Sequence, residues 1–488
     1  MLISICLLAP CFVVSHAQAQ TFYVATNGSD QQANGSQQNP WASISYAIDQ
    51  VTDGSIIEVA PGTYNGRVRL DQSSTNGVLI RSAVPYKARL RYDNGAVVIC
   101  FTCRGVTLEG FDIAHSANNI GGLVVQIQTS AISDVTLRNN IIHDSTDNDL
   151  LKINNGARNV LVEGNMFYNQ AGSDEHIDIN SVVDVTVRDN VFFNSTSQSI
   201  TSSYVLVKDS NGNSDGVLGS KNINVQRNIF FNWQGNDGQS FVRVGEDGTA
   251  NFEADNVLIE NNLMIGNSSR LMRSAFTVQG SINVRFRFNT VVGDLPSRSF
   301  AARLLAVGSN RPNQNIVLSN NLWADPTGSM GAEGFNGADV FDAPNGDNAS
   351  VELRNNLYYN GGNTIPADAT QEVNLSHDSN PVFGDPRLPT QSGLVLPIYN
   401  GSNFGSGLNT IRDVFVDFAI RYGKPASNSA AINQAYTSDA PADDILGALR
   451  GSSPDIGAFE VGGSITGGPG LPRNTNALPW LMLLLDEE

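Results

Sequence analysis

Between residues 149 and 243, a chain in which charged residues make up only 16% places Asp149, Lys152, Asp174, Glu175, His176, Asp178, Lys208 and Arg243. Asp149, Asp174, Glu175 and Asp178 are hard oxygen ligands of the kind Ca2+ takes. An amine serves as a base when its proton is weakly held, and cationic neighbours loosen it. Lys208, flanked by Arg243 and more distantly by Lys152, is therefore the first candidate base. Lys152 is the second, because Asp178 beside it would raise its pKa. Arg243 suits a bidentate grip on a substrate carboxylate, or assistance to a departing oxygen. His176, the only histidine of the group, is expected as a surface histidine beside acids before it is expected as a catalyst. The chemistry such a set supports is proton abstraction next to a carboxylate, with positive charge neutralising what develops. The structural alternative is that these acids and bases only neutralise one another on a strand surface.

A repeat must bring these residues together. The pattern apolar-x-apolar-x-x-Asn-apolar recurs as VTLRNNI, VLVEGNM, VTVRDNV, INVQRNI, VLIENNL, VRFRFNT, IVLSNNL and VELRNNL, with its Asn at 140, 165, 190, 228, 262, 289, 321 and 356. Short alternating segments recur beside it: LLKI, HIDI, YVLVK, FVRVG and AFTVQ. Units of a few short strands cannot bury an apolar face alone and must stack, and alternation with period 2 makes them β. The expected fold is an all-β, right-handed parallel β-helix solenoid with one coil per repeat. Alternation then places Lys152, Asp178, Leu206, Arg243 and Thr277 outward in one column, and Asn154, Asn180, Lys208, Gly245 and Gln279 in a second. Stacked residues lie about 4.8 Å apart, so Lys152 should touch Asp178 and Lys208 should lie close to Arg243. The repeated Asn residues are expected to form an internal amide ladder.

Composition narrows the partners. A net charge of −18 argues against nucleic acid, which needs a basic footprint. It also repels a polyanion at long range, although screening over about 8 Å lets a local basic cluster govern its own groove. Only five lysines occur, and Lys152 and Lys208 share one face. Residues 1–19 read as a secretory leader with Ala17-Gln18-Ala19 as cleavage site, despite the missing basic start. A lipoprotein reading through Cys11 is weaker because Pro10 precedes it. A secreted or cell-surface, monomeric protein is expected, with no membrane span in the mature chain. Cleavage leaves Cys100 and Cys103, for which a local disulfide or two free thiols are expected before a metal site. Beyond the leader, the expected divisions are a cap with the first coil over 20–75, including a short helix within Pro40 to Val51, coils over 76–360, a loop-rich region over 361–461 with a helical candidate near Ile411 to Tyr422, and a Gly/Pro-rich tail over 462–488.

YVATNGSD, PWASISYAID and VAPGTYNGRV resemble the N-terminal signature of secreted pectate-lyase-like β-helix proteins. Asp444 to Glu460, DILGALRGSSPDIGAFE, resembles the end of the choice-of-anchor Q region of bacterial surface proteins. The first resemblance implies the fold and an acidic polysaccharide as partner. Lyases on that fold commonly use Lys or Arg as base and Ca2+ held by Asp, Glu and Asn. It also leaves other outcomes open: a glycoside hydrolase using two of Asp149, Asp174 and Asp178, a C5-epimerase, or a non-catalytic glycan-binding solenoid.

Overall fold

The computed structural model describes residues 19–464 apart from 118–120, 173, 197–199, 236–238 and 331–338. The leader, but for residue 19, and the tail from 465 onward lie outside the described residues. One coil shows how the rest is built. The strand Val183–Arg188 runs in a first sheet, the chain bends at Asn190 into Val191–Phe193 of a second, and a loop leads to Ser203–Lys208 of a third. It then returns to Ser220–Gln226, which pairs in parallel with Val183–Arg188. Repetition gives three parallel sheets of 13, 12 and 10 strands wound as a right-handed β-helix. The solenoid adds strands as far as Val382–Phe383. Its N-terminal end carries the helix Ile44–Gln50, capped by the Ser43 side chain and packed through Ile44, Ala47 and Ile48. Pro40 lies outside this helix because Ser43 is the cap, and Trp41 instead stacks on Phe22 at 5.3 Å. Cys100 and Cys103 are joined by a disulfide.

The sharp bend between the first and second sheets has two parts. The residue before each ladder Asn takes a left-handed conformation, as at Asn139 (φ 54°), Asp189 (φ 57°) and Arg227 (φ 49°), which reverses the chain more tightly than a β-residue permits. The Asn itself then points inward. Asn228 donates to the Val187 carbonyl at 3.0 Å and to Asn262 Oδ1 at 3.0 Å, while its own Oδ1 accepts from Asn190 N at 3.1 Å and Asn190 Nδ2 at 3.0 Å. The same exchange runs from Asn140 to Asn356 and ends on Asp378 at 2.7 Å. Asn228→Ala strands these groups in a dry interior, so its unfolding midpoint in guanidinium should drop by the equivalent of about 3 kcal/mol.

The second sheet is apolar on both faces. Its outward residues, among them Ile141, Met166, Phe193, Phe231, Leu263 and Leu322, form a separate cluster with Phe404, Val414, Phe415, Phe418, Ile456 and Phe459. The region expected as loops therefore folds back over this sheet. Its helix Ile411–Phe418 is closed by a capping box of Thr410 and Asp413. Arg450 is buried in the same region, donating to Asn261 Oδ1 and the Gly457 carbonyl at 2.8 Å each. No residue of the third sheet joins this cluster, and it is the third sheet that carries the charged columns.

Candidate active site

Register along the third sheet sets Lys152 beside Asp178, Asp178 beside Leu206, Leu206 beside Arg243 and Arg243 beside Thr277. The neighbouring column runs Asn154, Asn180, Lys208. Lys152 Nζ bonds Asp178 Oδ2 and stands 3.5 Å from Asp149 Oδ2. Lys208 Nζ bonds Glu246 Oε2 at 2.7 Å and lies 4.0 Å from both Asp178 Oδ2 and Asp247 Oδ2. Arg243 Nη1 bonds the other oxygen of the same carboxylate, Glu246 Oε1, at 2.7 Å. Lys208 and Arg243 are thus near each other, with Glu246 as the anion between them. Glu246 takes its place because Gly245 (φ 90°) turns the chain out of the strand.

That turn is fixed from below. Glu253, fully buried, accepts from the backbone N–H groups of Glu246, Asp247 and Gly248 at 2.5, 2.9 and 2.7 Å. Asp209 does the same for the turn after Lys208, accepting from Asn211, Gly212 and Gly219 N–H groups. The sequence gives no period by which Glu253 could be assigned, since it reaches back across a loop.

On the other side of Asp178, Asp149, Asp174 and Glu175 bring one carboxylate oxygen each within 4.8 Å of one another. Asp149 Oδ1 accepts from Glu175 N–H at 2.9 Å. Burial, reinforced by Asp178, pushes Asp149 up to about 7, and burial with Asp149 and Asp178 alongside pushes Glu175 well above the ordinary glutamate value. Asp174, half-buried, is raised by the same desolvation.

No curated protein sequence matches the chain. Residues 26–69 match a family described as a protein of unknown function, DUF1565. Among solved structures, pectate lyase Pel9A is 15% identical with a TM-score of 0.55, over 91% of this chain and 97% of that one. XylC, in a complex with xylose, is 10% identical with a TM-score of 0.51, over 91% and 98%. The fold is similar to that of a pectate lyase. At such identities the likeness extends to the parallel β-helix and no further.

Two expectations are overturned. His176 is not on the surface: it is fully buried, stacked on Tyr204 at 4.3 Å, with Nε2 3.1 Å from Asn194 Oδ1. Burial lowers it to about 3. The reason is a corner. Where each coil enters the third sheet, two successive residues face inward, as in Leu150–Leu151, Tyr204–Val205 and Phe241–Val242, and His176–Ile177 occupies this place. Alternation holds only after it. The second correction concerns Lys208. Burial lowers its pKa, but Asp178, Glu246 and Glu175 together outweigh that, and the amine holds its proton more tightly than a free lysine. The same balance, struck by Asp178 and Asp149, raises Lys152. Arg243 does not loosen the Lys208 proton because Glu246 stands between them. Leu206, in the outward column, is fully covered.

The acidic set fits a hard divalent cation. Its donors are carboxylate oxygens, all three residues bear charge that burial penalises, and Asp178 Oδ1 is buried without a hydrogen-bond partner among the described residues. Asp149, Asp174 and Glu175 would hold Ca2+ directly, and Asp178, bonded to Lys152 through Oδ2, would add negative charge beside it.

Proposed function

We propose that this chain is an exported, monomeric, polysaccharide-active protein that cleaves a uronic-acid-containing polymer by β-elimination, with Lys208 as the base. The observation that carries the reading is one of placement: Lys208 Nζ sits on the outer wall of the third sheet, within 4.0 Å of Asp178, directly beside the carboxylate set that suits Ca2+. Likeness of fold to a pectate lyase supports it. Neutral Lys208 takes the C5 proton; the C5–H pair becomes the C4–C5 double bond as the C4–O bond breaks, and the bridging oxygen leaves with its electron pair and is protonated. Arg243, its Nη atoms held by Glu246, Gln239 and Gln279, is oriented to meet the substrate carboxylate. A bound Ca2+ would draw that carboxylate in and offset the negative field that keeps Lys208 protonated. Lys152, bonded to Asp178 and 3.5 Å from Asp149, serves as counter-ion to those acids.

A hydrolase needs two carboxyl groups far enough apart to admit a sugar, about 5 to 9.5 Å. Of the candidate carboxyl groups, Asp149 and Asp174 bring oxygens within 4.8 Å of each other and of Glu175, which suits a cation better. Mature protein should release products absorbing in the ultraviolet, from the new C4–C5 double bond, when given polygalacturonate, alginate, ulvan or glycosaminoglycans with Ca2+, and chelator should stop it. Reducing ends without ultraviolet absorbance would overturn elimination, and binding without turnover on the whole panel would leave a glycan-binding solenoid.

A further inference from the structure

Beyond Lys208, on the C-terminal side of the same sheet, lies a cavity of about 260 Å3 whose wall includes Gln239, Arg243, Glu246, Arg273, Gln279 and Arg303. Three arginines around one recess are unusual in a chain with 29 basic and 47 acidic residues. Register explains two of them: Arg243, Thr277 and Arg303 stand in one outward column on successive strands, so Arg243 and Arg303 are separated by about 10 Å, two strand spacings. Among the described residues, carboxylates engage only one nitrogen each of Arg243 and Arg303. Glu246 is divided between Arg243 and Lys208, and Asp342 binds Arg303 through Nε at 2.5 Å. Arg243 Nε is buried without a hydrogen-bond partner among the described residues. Gln279 turns its amide N–H onto the Glu246 carbonyl at 2.7 Å, which leaves its oxygen on Arg243 and locks that guanidinium in place.

We infer that this cavity is a second anion-binding subsite, which receives the carboxylate of a sugar further along the polymer than the one attacked at Lys208. The inference rests on the polyuronate reading above. The recess has the volume for one sugar ring with its substituents, and its guanidinium groups offer planar, paired donors that match a carboxylate. Arg243 is shared between the two subsites, so a polymer running across the strands of the third sheet contacts Lys208 in one outward column and then Arg243 and Arg303 in the column beside it. Arg303 is then a residue for affinity and chain length, not for the proton transfer.

Binding of oligogalacturonates of increasing length, measured by calorimetry on the full mature chain with Ca2+, tests this apart from turnover. In wild type, affinity should rise stepwise when the oligomer becomes long enough to reach Arg303. Arg303→Gln should lose that step, about tenfold in Kd, leaving the shortest oligomers unaffected. Val307→Glu, at the exposed mouth of the cavity, should also lose it without disturbing a buried contact, while Val307→Gln should retain it. Carboxyl-reduced oligomers should show no step in wild type. A length step unchanged in both Arg303→Gln and Val307→Glu, or equal binding of the carboxyl-reduced series, overturns the subsite. If the long oligomers bind with the expected step but are never cleaved, the subsite stands and elimination at Lys208 falls.

Discussion

Lys208→Met should lower the rate of unsaturated-product formation by about a thousandfold, the scale on which a positioned base contributes. The difficulty in reading such a result is that Lys208 is also an ion-pair partner. Its amine bonds Glu246 at 2.7 Å with Asp178 and Asp247 at 4.0 Å, and its loss leaves those acids less compensated, at a cost of about 2 kcal/mol for a half-buried pair. Because the folded-state pKa lies above the free lysine value, this stabilisation is fully present below the unfolded value and fades as pH rises through the folded one. At pH 8 the variant should therefore melt lower than wild type. Glu246→Gln combined with Lys208→Met removes the acid most in need of a partner and should restore much of the melting temperature, with no recovery of turnover. Lys208→Arg keeps the positive charge and should be far less active than wild type, since a guanidinium of different shape holds its proton more tightly than an amine. Recovery of activity in the double variant, or substantial activity in Lys208→Arg, would reduce Lys208 to a structural ion. In wild type, kcat/KM should climb with pH as the amine loses its proton, and that limb should vanish in the variants.

How far these residues were legible follows from which physical rule governed each. Stacking with period 2 fixes neighbours along a column, so the contact of Lys152 with Asp178 could be read from LLKI and HIDI alone. The Asn ladder was readable for the same reason, one Asn at a fixed place in a repeat whose other polar positions vary. His176 went astray because it precedes the first alternating residue, where the corner turns two neighbours inward. The doubled apolar residues at the starts of LLKI, YVLVK and FVRVG carried that signal, and HIDI belongs with them. The charge state of Lys208 depended on Glu246, which is two residues past the strand and held there by Glu253; no periodicity says which cation a loop carboxylate will meet. The cover over the second sheet was present in VFF and IFF, whose unbroken apolar runs require a partner on both faces, although nothing in them says that the partner is the segment around Phe415.

Asp149→Asn separates a cation site from a mere cluster of buried acids, because the two make opposite predictions for stability. With Asp149 at about 7 and its unfolded value near that of a free aspartate, the folded chain binds the proton more tightly than the unfolded chain does. Stability then falls as pH rises from the unfolded value toward 7, and the full penalty is present above 7. In chelator at pH 8, replacing the buried carboxylate by an isosteric amide removes that penalty, while the amide oxygen still accepts from Glu175 N–H. The variant should melt several degrees above wild type, and the gain should disappear at pH 4. Saturating Ca2+ should reverse the order. An ion that binds only the folded state adds about 2.7 kcal/mol at a hundred times its Kd, and wild type should rise accordingly while the variant, short of one ligand, moves little. The Ca2+ shift of wild type should itself shrink as pH is lowered through 7, when protons compete for the same oxygens. Melting curves at pH 8 with and without Ca2+ decide it: two parallel lines, with the variant above in both, would mean that these acids are strained by burial alone and hold no cation.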